Sequence, residues 1–287
     1  VTDKPQGSFT DFSGYRQVPW LAKKYALSVL PSVSSLKALR VFAKKGNATD
    51  PFKGFGDPVL NGEAGSRGGV EMASLFNRGS IVDVAELKSL GRLTDTAVEL
   101  KAIAKTLGTD SKSLYLAERA TETRVKDMDL SNTRIISFAT HGLVAGQLKG
   151  VQEPGLVLTP PVKGSAKDDG YLTASEIAQL KLNADWIILS ACNTASSDGT
   201  PGAEGLSGLA KAFFYAGSRS LLVSHWPVMS SAATALTTRM LQEAKDKTVG
   251  RAEALRRSMI ALMNNTKSAY LAHPMFWAPF AVVGEGK

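Results

Sequence analysis

The sequence predicts an α/β protein with a mostly parallel central sheet and helices on both faces. Three observations carry this. Arg134-Ile135-Ile136-Ser137-Phe138-Ala139 and Asp185-Trp186-Ile187-Ile188-Leu189 are short apolar runs of the kind that form strands buried on both faces. Between them, Thr173-Ala174-Ser175-Glu176 has the form of a capping box and is followed by Ile177-Ala178-Gln179-Leu180, so the connection holds a helix. A strand, a helical crossover and a second strand make a right-handed unit with parallel strands, and both strands then end on the same edge of the sheet.

The other elements follow in chain order. Residues 25–30 read as a strand, and Pro31-Ser32 opens a helix through Leu36, Leu39 and Phe42 that ends near Gly46. Residues 52–79 hold seven glycines and read as a long mobile loop. That loop lacks the Gly-Lys-Ser/Thr ending of a phosphate-cradling loop, so nucleotide binding is not expected. Residues 94–107 form an amphipathic helix with Gly108 as its stop, and 117–128 another helix. Segment 143–170 is rich in glycine and proline and reads as loop. Residues 193–205 form a polar loop, followed by a helix over 206–215 stopped by Gly217. A third apolar strand, 219–224, leads into His225-Trp226-Pro227-Val228. Ser230 or Ser231 caps a helix through Leu236, Met240 and Leu241, and a further helix spans about 249–263. The closing run 277–283 contains Pro279 and reads as an edge strand, where proline is tolerated. There is no internal repeat and no low-complexity tract.

The two central strands each end in a residue with chemistry. The first runs into Thr140-His141-Gly142 and the second into Ser190-Ala191-Cys192-Asn193-Thr194. Cys192 is the single cysteine of the chain and lies 51 positions after His141, the separation found between the histidine and the nucleophile of one class of cysteine peptidase. Ligands of open α/β sheets bind at the carboxyl edge, so the two residues can meet there. A cysteine at the end of an apolar strand is commonly a small buried hydrophobe. The pairing with a histidine on a neighbouring strand end is what favours catalysis.

Composition sets the bounds. With 287 residues and 44% hydrophobic side chains, the chain can bury a substantial core as one large domain or two small ones. It divides into an α/β half over 1–130 and a half over 131–287 that carries the His/Cys pair. No 18-residue apolar run and no signal peptide is visible. One cysteine excludes an internal disulfide and a cysteine-based zinc site, and points to a reducing, cytoplasmic setting. His141, His225 and His273 lack metal-ligand spacing, and no cofactor is expected. The net charge of +8 is spread evenly over both halves, without a basic tail, so nucleic-acid binding is not expected. A first residue of Val is the expectation of a fragment or processed chain, with room for other domains before it.

Several blocks in a fixed order identify a family. They are Thr140-His141-Gly142; Asp169-Gly170-Tyr171-Leu172-Thr173-Ala174; Leu189-Ser190-Ala191-Cys192-Asn193-Thr194; the run from Gly202 to Phe213; Ser224-His225-Trp226-Pro227-Val228; and the run from His273 to Phe280. Together they resemble the CHAT domain, a caspase-like family of cysteine peptidases often joined to tetratricopeptide repeats in bacteria. They resemble separases, gingipains and caspases more distantly. The resemblance is dense from about residue 134 onward. Over 20–130 it is looser, carried by Leu30-Pro31-Ser32 and Ala120-Thr121-Glu122.

The resemblance implies a caspase-like fold and a cysteine endopeptidase. Cys192 would be the nucleophile and His141 the acid or base, acting through an acyl-enzyme. The backbone N–H groups of Gly142 and Cys192 would form the oxyanion hole. Ser224-His225-Trp226 resembles the strand that pairs with substrate, so Ser224, His225 and Trp226 are candidate binding residues. Trp226 can equally be an aromatic packed at a turn. Ser190 stands where some relatives that cleave after basic residues place an acid; Asp168, Asp169, Glu153 or Glu204 could supply such a charge instead. No third catalytic residue is assigned. The resemblance also implies a protein substrate, and a regulatory partner or a tetratricopeptide-repeat region before this chain; ordering of the 143–170 and 193–205 loops by that partner is one means of control. An alternative with the same motifs is a non-catalytic interaction module. A serine hydrolase elbow is absent, since Gly205-Leu206-Ser207-Gly208-Leu209 lacks the last glycine in register.

Overall fold

A computed structural model describes residues 12–30, 47–62, 82–145, 151–190, 208–226 and 228–287. The predicted helix over 31–46, most of the glycine-rich stretch, Cys192 and the predicted loop over 193–205 lie outside the described residues. Ten strands are labelled in chain order: β1 (Ser28–Val29), β2 (Lys53–Gly56), β3 (Leu114–Leu116), β4 (Ile135–Ala139), β5 (Gly142–Leu143), β6 (Gly155–Val157), β7 (Tyr171–Thr173), β8 (Trp186–Leu189), β9 (Ser220–Ser224) and β10 (Phe280–Gly284). The α-helices are α1 (Leu21–Lys24), α2 (Val84–Lys88), α3 (Asp95–Leu107), α4 (Glu122–Asp127), α5 (Ala174–Ile177), α6 (Gly208–Ala216), α7 (Ser230–Glu243) and α8 (Arg251–Met263).

Among the described residues one sheet has seven strands in the order β1-β10-β9-β8-β4-β2-β3. Strands β9, β8, β4, β2 and β3 run parallel; β10 is antiparallel to β9, and β1 is parallel to β10. The expectation of a mostly parallel sheet therefore holds, and strands from both halves of the chain share it. Successive side chains of a strand point to opposite faces. Ile135, Ala139, Trp186 and Ile188 accordingly join a core under α3, α7 and α8. Ile136, Phe138, Ile187 and Leu189 join a second core under α4, α5 and α6. Helices cover both faces, which is why β4 and β8 read as continuous apolar runs.

Several local readings change. The glycine-rich stretch contains β2, a buried central strand. Gly54 and Gly56 are there because α3 presses on the sheet: a Cβ on Gly56 would sit 2.7 Å from the Ala139 carbonyl oxygen and 2.7 Å from Leu100 Cδ1. Segment 143–170 is partly ordered as an antiparallel three-stranded sheet, β5-β6-β7. The single helix expected over 117–128 is broken; Ala117–Arg119 is a 3-10 turn, and α4 starts afresh with Thr121 as its N-cap. The strand expected over 25–30 shrinks to β1, which covers part of β10, so β10 is not a free edge. Strand β3 carried no sequence pattern and was missed. At α7 the N-cap is Met229, with no side-chain cap. The capping box at Thr173 and Glu176 is present as predicted, and Gly108 and Gly217 stop their helices at positive φ.

Replacing Gly56 by alanine is expected to cost about 1–3 kcal/mol of stability, measured by urea unfolding, because the added methyl must displace backbone. Unchanged stability would show that α3 and β4 can part without penalty.

Candidate active site

The site is built on three adjacent strand ends. In the β4–β8 ladder Phe138 lies beside Leu189, and the Ser190 N–H extends the pairing by donating to the Phe138 carbonyl at 2.9 Å. Strand β9 follows on the other side of β8 and ends at Ser224. His141 and Ser190 thus follow the carboxyl ends of β4 and β8, and Ser224 ends β9 on the same edge of the sheet. Cys192 lies two residues beyond Ser190 and outside the described residues, as does its backbone N–H.

His141 is held from two directions. The chain turns directly from β4 into β5, and the His141 carbonyl accepts the Val157 N–H of β6 at 2.9 Å. Thr140 Oγ1 donates to the Val157 carbonyl. His141 is 8% exposed, and its Nε2 lies 2.8 Å from the carbonyl oxygen of Gly91. A carbonyl only accepts, so Nε2 carries a hydrogen, and in the neutral ring the lone pair is then on Nδ1. The Gly91 carbonyl is a partner of His141 that the sequence does not reveal. No side-chain pattern marks a backbone acceptor, and Gly91 sits in an unremarkable Ser-Leu-Gly-Arg stretch.

Gly91 belongs to a strap, residues 82–92, lying over the small sheet. Val82, Leu87 and Leu90 of the strap pack with Leu143, Val157 and Tyr171 in a separate apolar cluster. Asp169 fastens the strap's start, its Oδ2 accepting the Val82 N–H at 2.8 Å while Oδ1 accepts that of Tyr171 at 2.9 Å. Asp169 is buried, and both its oxygens serve backbone amides; desolvation raises its pKa above the ordinary carboxylate value. Glu122 of α4 supports the same loop, accepting the N–H groups of Asp169 and Gly170 at 2.8 and 3.0 Å. Lys126 joins Glu122 to Glu176 of the α5 capping box. Burial pushes the Glu122 carboxyl up to about 7, opposed by Lys126 and the Asp169 amide.

The remaining predicted binding residues sit beyond β8 and β9. Ser190 and Ser224 are buried. The His225 N–H donates to the Pro279 carbonyl at 3.0 Å; the residue is exposed, and partial desolvation of its ring lowers its pKa, favouring the neutral form. Trp226 is 40% exposed, with Nε1 at 3.4 Å from the Met275 carbonyl oxygen. Glu153 is occupied at the α5 start, where its carboxylate accepts from the Ser175 N–H and hydroxyl. Asp168 accepts from Thr123 and Gly170. His273 Nδ1 accepts the Met275 N–H, which caps a short turn. Among the described residues no group of three or more His, Cys, Asp or Glu side chains could hold a metal ion. Nor is any helix among them long and apolar enough to cross a membrane.

With a mostly parallel sheet and a histidine following one of its central strand ends, the class is set by the family comparison. The sequence matches the CHAT domain over residues 10–285, and the chain belongs to that family. No curated protein matches the sequence. Among solved structures, the Saccharomyces cerevisiae separase–securin complex is similar with a TM-score of 0.49 and 14% identity, covering 92% of this chain and 14% of that one. The Arg-specific cysteine proteinase gingipain R is similar with a TM-score of 0.43 and 12% identity, covering 66% of this chain and 41% of that one. A complex of the pro- and mature domains of Porphyromonas gingivalis RgpB gives a TM-score of 0.44 at 9% identity, covering 96% of this chain and 52% of that one. The chain therefore spans about half or less of each of these proteins.

Glu122 makes a pH-dependent prediction. Its folded pKa, about 7, lies above the ordinary 4.5, so its contribution to stability is present below pH 4.5 and is lost as pH rises through 7. In urea unfolding at pH 5 and pH 8, Glu122→Gln is expected to show a smaller difference between the two conditions than the wild type. An equal difference would place the titration elsewhere.

Proposed function

We infer that the protein is a cysteine endopeptidase with Cys192 as nucleophile and His141 as its proton acceptor and donor. The observation that carries this reading is the placement of His141, buried at the carboxyl edge, with Nε2–H given to the Gly91 carbonyl and its lone pair on Nδ1. The strand that leads to the single cysteine ends on the same edge, one strand away. An imidazole fixed in one tautomer is the partner a thiol needs to become a thiolate near neutral pH.

In this reading the thiol proton passes to Nδ1 of His141. The Cys192 sulfur bonds to the carbonyl carbon of a peptide bond, whose π electrons move to oxygen. The C–N bond then breaks as the imidazolium protonates the leaving amine. Water, deprotonated by the same histidine, then bonds to the acyl carbon; the C–S bond breaks, the acyl group leaves as a carboxylic acid and the Cys192 sulfur takes its proton back from the imidazolium. Oxyanion stabilisation falls to the N–H groups of Gly142 and Cys192, each worth about 100- to 1000-fold in rate. The Val157 N–H bond to the His141 carbonyl makes Gly142 and Leu156 a non-hydrogen-bonded pair, which turns the Gly142 N–H away from β6 and supports this role. Ser224, His225 and Trp226 continue past the end of β8, and an extended substrate adds there as a strand beside Ser190. His225 gives its own N–H to Pro279 and serves as backbone and wall, not as base. Asp169 acts through the strap. A protein substrate, a cytoplasmic setting and control by a partner or by a region before this chain belong to the same reading.

The test is cleavage of a diverse peptide library by the wild type and by Cys192→Ala, read by mass spectrometry. Cleavage by the wild type that disappears in the variant is the expected outcome, and it reads the preferred residue before the scissile bond. Equal cleavage by both proteins would remove Cys192 from the mechanism.

A further inference from the structure

The His141 acceptor, the Gly91 carbonyl, is itself backbone on the strap, and its position depends on what fastens the strap at that end. The next residue, Arg92, meets Asp57 in a two-pronged ion pair, Nε to Oδ1 at 2.9 Å and Nη2 to Oδ2 at 3.0 Å. Asp57 directly follows β2, the strand beside β4, so it stands on the same edge of the sheet as His141. Its backbone is left-handed, with φ of 50°, a conformation that Asp and Asn tolerate better than most residues. The Asp57 N–H donates to Thr96 Oγ1 at 2.8 Å, and that hydroxyl donates to the Leu93 carbonyl at 2.7 Å. The Asp57 side chain is 11% exposed and that of Arg92 34%, so the pair is partly shielded from water. The Gly62 N–H to Leu90 carbonyl bond, at 3.1 Å, holds the same piece of strap from further along the same segment after β2.

These contacts form one short line: β2 end, Asp57, Arg92, Gly91 carbonyl, His141 Nε2. A planar guanidinium on a carboxylate fixes direction as well as distance, which a single-point contact does not. We propose that Asp57 and Arg92 are a positioning pair for the proposed peptidase reaction, holding the Gly91 carbonyl where it sets the tautomer and aim of His141. The proposal rests on the dyad reading given above. It assigns a role to neither residue in contact with substrate.

Cys192 is the only cysteine, so alkylation by iodoacetamide reports on one thiol. The experiment measures its second-order rate from pH 5 to 9 in the wild type, His141→Ala, Asp57→Asn, Arg92→Met, Arg92→Lys and the Asp57→Asn/Arg92→Met double variant, with thermal unfolding of each. His141→Ala is expected to lose the fast phase near neutral pH. Asp57→Asn and Arg92→Met are expected to slow alkylation at pH 7 by about 10- to 100-fold and move the profile toward that of His141→Ala, as a misplaced catalytic group does. The double variant is expected to match the slower single variant, because the two residues act as one unit. Arg92→Lys, which keeps charge but loses the fork, is expected to fall between Arg92→Met and wild type. Variants that melt lower yet keep the wild-type profile would overturn the positioning role and leave the dyad standing, as would additive effects in the double variant. A wild-type profile in His141→Ala would overturn the dyad itself, and the pair's role with it.

Discussion

The hydrogen bond between His141 Nε2 and the Gly91 carbonyl couples two parts of the molecule that are 50 residues apart. One part is the parallel sheet, which sets where β4 ends. The other is the strap over 82–92, which sets where the acceptor lies. A histidine released from the strap would keep its place on the strand but lose the acceptor that holds the hydrogen on Nε2. The small β5-β6-β7 sheet joins the two parts, taking the His141 carbonyl on β6 and burying Val157 and Tyr171 against Val82, Leu87 and Leu90.

Charge is used in the same spirit around the strap. Asp169, Glu122 and Asp57 are buried or nearly so, and each is paired with backbone amides or with a cation. Buried polar groups persist only when satisfied, so these carboxylates hold a defined loop geometry in place of apolar packing. Glu122 shows the cost: desolvation pushes its carboxyl far above its ordinary value although Lys126 and two amides stand beside it. Net positive charge elsewhere on the chain plays no visible part in this arrangement.

The parts of the fold legible in the sequence are those with strong hydrophobic pattern or local capping chemistry. Strands β4, β8 and β9 are apolar because both faces are covered, and Thr173 with Glu176 announces its helix by side chains alone. The parts that were not legible depend on contacts distant in sequence. Strand β2 hides among glycines because α3 needs room at Gly54 and Gly56. Strand β3, three residues long, is a strand only because β2 lies beside it. The small sheet looks like loop in the sequence, since its strands are short and its glycines and prolines dominate the pattern. At the site, His141 could be named from its strand, whereas the Gly91 carbonyl and the Asp57–Arg92 pair could not, because backbone acceptors and long-range ion pairs leave no periodic trace.

The most direct measurement is nitrogen-15 NMR of the His141 imidazole in the Cys192→Ala variant, above the pH at which the ring titrates. The Cys192→Ala background removes the thiol proton from the exchange. The account predicts a neutral ring protonated at Nε2, with Nδ1 showing the shift of an unprotonated nitrogen. A ring protonated at Nδ1, or an even mixture of the two tautomers, would contradict it.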